Sequence, residues 1–188
     1  MFSRDLKYLP EEMRLQYYEM VKELEKIKLS IFVTCTGRTL DIQMAYYLRG
    51  RASFKLVNYY YKFAGLNESL EIEQGIRNDN LKAKLTGTDL PEEQLQGKIK
   101  AKQEAWNKYA ITWTLDSRHL IVPPDKMICT AFDFAVVYEG KTIWNPKADV
   151  NADQVPDYEE VGRIAQKVGL DSGMFWSKPD YCHIQQRL

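Results

Sequence analysis

The sequence predicts an α+β fold: a small antiparallel sheet with flanking helices and a helical insertion. Three observations carry this. Segments of helical period and segments of period two are interspersed without a repeating strand–helix rhythm. A single hairpin stands out, TAFDFAVVYEGKTIW at 130–144. The stretch 52–110 places aromatic and apolar residues at helical spacing between the strand-bearing parts. At 188 residues the chain reads as one domain, long enough to bury a substantial core.

Taken in order, residues 10–28 read as an amphipathic helix. Met13, Tyr17, Met20, Leu24 and Ile27 recur at steps of four and three, and Pro10 suits the first turn. LSIFVTCT follows as a strand whose alternation places Leu29, Ile31, Val33 and Cys35 on one face. TLDIQMAYYLRG reads as a short helix, capped by Thr39 and stopped by Gly50. Residues 52–110 form the helical insertion, with a loop near TGTDLP. YAITWTLDS at 109–117 reads as a strand, and the hairpin turns at Glu139-Gly140. A helix over 157–168 turns Tyr158, Val161, Ile164, Ala165 and Val168 inward and stops at Gly169, and a last strand carries YCHIQQ.

Lysine plus arginine and aspartate plus glutamate number 26 each, with no basic block. This argues against a nucleic-acid partner held by a basic surface. No apolar run has the length of a membrane span, and the first twenty residues lack the apolar core of a signal peptide. The expectation is therefore a protein that starts in the cytoplasm of the producing cell, with no membrane association; it is read as a monomer. Three cysteines, Cys35, Cys129 and Cys182, are too few for a disulfide framework and read as buried free thiols.

The chemistry centres on two histidines and an aspartate. A mononuclear catalytic zinc site takes three protein ligands and leaves a fourth position for water. The chain offers His119, Asp133 and His183. Within AFDFA, Asp133 shares a face with Ala131 and Ala135, while Phe132, Phe134 and Val136 take the other. A carboxylate inside an apolar strand must be paired or metal-bound, because burying it alone is costly. Asp180, three residues before His183, can reach the same place as a general base. Asp125 is a competing ligand, ranked below Asp133 because aspartates beside prolines usually serve turns. Singly, each histidine has an ordinary structural role as well; the conjunction carries the reading.

SRHLIVPPDKMICTAFDFA resembles the S-x-H … A-x-D-[FL]-A element of the VanY-like D-Ala-D-Ala carboxypeptidase and L-alanyl-D-glutamate endopeptidase family, which includes many phage endolysins. VTCTGRTLDIQMAYYLRGR is similar to its upstream element, with Arg38, Gln43, Gly50 and Arg51 in the matching places. VGLDSGMFWSKPDYCHIQ resembles the closing portion, where a tryptophan precedes D-x-P-H-F-[QE]. The likeness covers roughly 29–51 and 111–187, with its elements in the right order.

The resemblance implies a Hedgehog/D,D-peptidase-like fold and a zinc ion held by His119, Asp133 and His183. It makes Asp180 the catalytic carboxylate and Arg38 the cation that steadies the oxyanion. Ser117 and Gln43 fall on positions that bind substrate or hold the site together, and Trp176 is placed to line it. The implied partner is the peptide stem of bacterial peptidoglycan. Asp180-x-x-His183, in place of a glutamate, favours cleavage between L-Ala and D-Glu by an endolysin-type hydrolase, released to the wall or carried on a virion. The alternatives are a D-Ala-D-Ala carboxypeptidase and, from another class, a non-catalytic wall-binding or phage structural module. Three departures accompany the likeness: a longer loop after His119, Cys182 and Ile184 in place of proline and phenylalanine, and the long insertion.

Overall fold

Strand β2 (Ala131–Tyr138) organises the computed structural model, which describes residues 2–108, 112, 114, 117–122 and 126–187. Its sequence alternates cleanly. Phe132, Phe134 and Val136 enter the apolar cluster, and Ala131, Asp133 and Ala135 take the other face. Burial of each large apolar side chain here contributes about 1.5–3 kcal/mol.

On one side β2 pairs antiparallel with β1 (Ser30–Cys35). On the other it pairs with β3 (Lys141–Ile143) towards its C-terminal end and with β5 (His183–Gln186) towards its N-terminal end. β4 (Leu170–Ser172) completes the open five-stranded antiparallel sheet by pairing with β5. The β2–β3 turn falls at Glu139 and Gly140, with φ of 48° and 74°, as a tight primed hairpin turn requires.

Two helices cover the apolar face. Helix α1 (Glu11–Lys26) buries Met13, Met20 and Leu24, with Pro10 at its N-cap and Glu11 and Glu12 at the positive end of its dipole. The second of these helices runs over Asp157–Lys167, buries Tyr158, Val161 and Ala165, and ends before Gly169, whose φ of 90° suits glycine.

The chain divides into two compact units, one formed by Met1–Thr39 with Ser117–Leu188 and the other by Leu40–Asp116. The first holds the sheet and its two helices. The second contains α2 (Leu40–Leu48), α3 (Phe54–Phe63), α4 (Glu68–Lys84) and α5 (Glu92–Trp106), so the helix following Asp157 is α6. Ala45, Val57 and Tyr61 form a core in the helical unit, with Trp106 packed edge-on to Tyr61 at 4.8 Å. Because Ala45 and Leu48 of α2 join that core, the helical unit begins earlier than residue 52. On α3, Tyr61 is buried, whereas Tyr59 and Phe63 are exposed and stack on each other. The strand expected over 109–117 and the competing Asp125 lie largely or wholly outside the described residues. Among those described, no helix is long and apolar enough to cross a membrane.

One expectation is corrected. Simple alternation puts Cys35 on the core face with Val33. The register shifts between them, so that Val33 opposes Phe134 while Cys35 opposes Asp133. This bulge turns Cys35 to the opposite face.

Candidate metal centre

Asp133 and His183 are direct partners across β2 and β5, so both side chains project from the same face. His119 arrives from a different direction. Its segment runs beside Thr36–Arg38, fixed by Arg38 N–H donating to the His119 carbonyl at 2.9 Å and Ile121 N–H donating to the Arg38 carbonyl at 3.0 Å. The Arg118 carbonyl accepts from Thr130 N–H, just ahead of β2.

The three functional groups meet. His119 Nε2 lies 3.1 Å from Asp133 Oδ1, His183 Nδ1 lies 3.1 Å from the same oxygen, and the two nitrogens are 3.2 Å apart. Both histidines are buried and Asp133 is nearly so, with 19% of its side chain exposed.

The outer nitrogens decide what this triangle is. His119 Nδ1 is 2.9 Å from the Thr36 carbonyl, which can only accept, so Nδ1 carries the hydrogen. His183 Nε2 faces Gln185 Oε1 at 3.2 Å. The orientation of that amide is set in turn, because Gln185 Nε2 donates to Asp171 Oδ2 at 3.0 Å. A neutral imidazole held this way points a lone pair inward. Two such lone pairs and a carboxylate oxygen within 3.2 Å of one another repel unless a metal ion or a proton lies among them. Three ligands at about 2.0–2.1 Å from a tetrahedral ion are about 3.3–3.4 Å apart. The donor set fits a divalent metal ion, and the backbone and amide partners supply the outer hydrogen bonds that ligating histidines require.

In the metal-free centre a proton shared by His183 and Asp133 takes the cation's place. Burial opposes ionisation of Asp133, but the charges and hydrogen bonds of His119 and His183 outweigh it and hold the carboxyl well below its usual range. Burial alone would lower the His183 imidazole; its hydrogen bond to Asp133, with the charges of Asp133 and Asp180, raises it above the ordinary value.

Of the other residues expected from sequence, Arg38, Ser117, Trp176 and Asp180 belong to the same unit as the triangle. Arg38 is buried, and its Nη2 donates to Ser117 Oγ at 3.4 Å. Ser117 Oγ also accepts from His119 N–H at 3.3 Å, tying Arg38 to the ligand segment. Trp176 lies against the His183 ring, with centroids 5.1 Å apart, and its Nε1 donates to Asp171 Oδ2. Asp180 sits in the turn before β5: its carbonyl accepts from His183 N–H at 3.2 Å, and its Oδ1 accepts from the Cys182 thiol at 3.5 Å. Cys182 packs against the apolar cluster, on the face away from His183. Gln43 belongs to the helical unit, where its amide donates to the Thr112 hydroxyl at 3.2 Å and to the Thr114 carbonyl.

Sequence reasoning missed three participants. The Thr36 contact is a backbone carbonyl and leaves no residue signature. Gln185 was legible in principle, since it lies two residues after His183 on the same strand face. Cys35 was hidden by the bulge: the buried Cys35, His119 and Asp133 have donor atoms all within 4.8 Å and form a group that could hold a metal ion. Burial, followed by the charge of Asp133, pushes the Cys35 thiol up to about 12.

Comparison of the chain with models of protein families, with curated proteins and with solved structures finds no match.

Proposed function

We propose that the protein is a zinc-dependent peptidase that cuts the peptide stem of bacterial peptidoglycan, between L-Ala and D-Glu. The observation that carries the reading is the triangle of His119 Nε2, Asp133 Oδ1 and His183 Nδ1, with sides of 3.1–3.2 Å and both outer nitrogens engaged. A bound zinc ion would lower the pKa of a water molecule towards neutrality and polarise the scissile carbonyl.

The remaining roles belong to side chains. Asp180, beside His183, takes the proton of the attacking water and hands it to the leaving amine. Arg38, buried and held by Ser117, presents a fixed cation to the oxyanion that develops as the carbonyl is attacked. Trp176, a third exposed and packed on His183, offers an apolar wall to the substrate. Gln43 bonds to Thr112 and Thr114 within the helical unit. The choice of L-Ala–D-Glu over D-Ala–D-Ala rests on the aspartate at position 180 and on the resemblance of these motifs to the endolysin-type enzymes. In that setting the enzyme is phage-encoded and meets the wall after release from the producing cell.

Digestion of purified peptidoglycan followed by mass spectrometry tests this. New amino-terminal D-Glu is expected. Release of terminal D-Ala would transfer the protein to the carboxypeptidases, and intact muropeptides from zinc-loaded protein would overturn the reading.

A further inference from the structure

The row of side chains through the triangle continues across the sheet. Cys35 on β1 opposes Asp133 from one side as His183 on β5 opposes it from the other, so all three project from one face. Cys35 is 4% exposed, yet it stands outside the apolar cluster that takes Val33, Cys129, Phe132 and Phe134. The thiols of Cys129 and Cys182 both donate hydrogen bonds, to Thr36 O and to Asp180 Oδ1. The Cys35 thiol makes none to the described residues. It is thus a buried polar group, without a hydrogen-bonding partner among the described residues, close to the carboxylate of the candidate ligand set. The bulge between Val33 and Cys35 turns it from the core face to the face that carries Asp133 and His183.

We propose that Cys35 is the fourth protein donor of the centre, its thiolate closing the position that His119, Asp133 and His183 leave open. This rests on the metal-binding reading above and adds a resting, closed form to it. The Cys35 sulfur lies within 4.8 Å of the donor atoms of His119 and Asp133. With a metal–sulfur bond of about 2.3 Å and metal–nitrogen or metal–oxygen bonds of about 2.0–2.1 Å, the tetrahedral edge is about 3.5–3.6 Å. A movement of roughly 1 Å would bring the sulfur to that edge from His119 and Asp133. As the sulfur–metal bond forms, the thiol proton passes to solvent and one water molecule leaves the ion. Opening reverses both changes, and nothing is oxidised or reduced. A soft thiolate beside two imidazoles and a carboxylate would also bias the centre towards zinc and its softer congeners over magnesium or calcium.

Cobalt(II) substitution reads this directly. The metal-free protein is titrated with cobalt(II), and its absorption is compared with that of Cys35→Ser, Cys35→Ala and Cys182→Ser. The expected wild-type spectrum has visible bands of a four-coordinate ion together with a near-ultraviolet sulfur-to-cobalt charge-transfer band. That band is lost in both Cys35 variants, persists in Cys182→Ser, and the visible bands remain throughout. Visible bands without the charge-transfer band in the wild type would overturn the role of Cys35 and leave the His119–Asp133–His183 centre standing. A charge-transfer band that survives Cys35→Ser would overturn it equally. Failure of the wild type to take up cobalt at all would remove the metal reading and this inference together. The outcomes without a charge-transfer band or without cobalt uptake are read on the wild type alone, so they stand even where a variant folds poorly.

Discussion

One oxygen of Asp133 lies 3.1 Å from His183 Nδ1 and 3.1 Å from His119 Nε2, although the three residues come from two strands and a loop far apart in sequence. The pairing of β2 with β5 supplies one of these contacts, and the backbone bonds between Arg38 and the His119 segment supply the other. The site is therefore held by main-chain structure on both sides, which is the rigidity a metal centre needs.

Gln185→Ala removes the acceptor of His183 Nε2 while leaving the inward nitrogen in place. Metal affinity is expected to fall about 10–100-fold with the fold retained. Competition against a chromogenic chelator measures this, and Gln185→Glu, which keeps the acceptor, should restore most of the affinity.

The same triangle sets a pH dependence. In the metal-free protein the His183 pKa is raised, so its contribution to stability is present below the unfolded value and is lost as pH rises through the folded one. The Asp133 pKa is lowered, so its contribution is present above the unfolded value and lost as pH falls towards the folded one. Metal competes with the proton on His183. Thermal melts with and without chelator should give a metal-free Tm that falls between about pH 6 and pH 8, and a zinc-induced gain that grows over the same range.

Asp180→Asn keeps the turn, because the backbone bonds of Asp180 to Gly173 and His183 are untouched and asparagine retains an oxygen to accept from the Cys182 thiol. It removes the group assigned to proton transfer, so hydrolysis of muropeptides should fall about 10²–10⁴-fold with zinc content unchanged. A wild-type rate in this variant would strip Asp180 of that role.

Gly173 sits directly beneath this turn. A Cβ there would come within 2.6 Å of the Asp180 carbonyl and 3.2 Å of His183 Cβ. Gly173→Ala should displace both residues, costing about 1–3 kcal/mol by overpacking and lowering metal affinity and turnover together. Chemical denaturation and zinc titration check the two effects separately.

Much of this was legible from residue patterns, and the parts that were not have identifiable causes. The alternation of AFDFA fixed which face Asp133 takes, since Phe132 and Phe134 can only go inward. Glu139-Gly140 marked the hairpin, and the apolar stripes of α1 and α6 marked the helices over the sheet. The family resemblance grouped His119, Asp133 and His183, and the fold brings their side chains together. Cys35 could not be grouped with them, because a bulge inverts the alternation without changing the residue types on either side. The Thr36 carbonyl is invisible for a different reason: any residue at that position supplies the same atom. The division at Leu40 depends on which core α2 joins, a tertiary choice that its own sequence leaves open.

The measurement that bears most directly on the central claim is the zinc content of the purified protein and of its His119→Ala, Asp133→Ala and His183→Ala variants, read alongside the melting temperature before and after chelation. The account predicts one tightly held zinc ion per chain, lost in each variant, with a chelation-induced drop in Tm in the wild type alone. A wild-type protein that holds no zinc, and whose melting and turnover ignore the chelator, would contradict it.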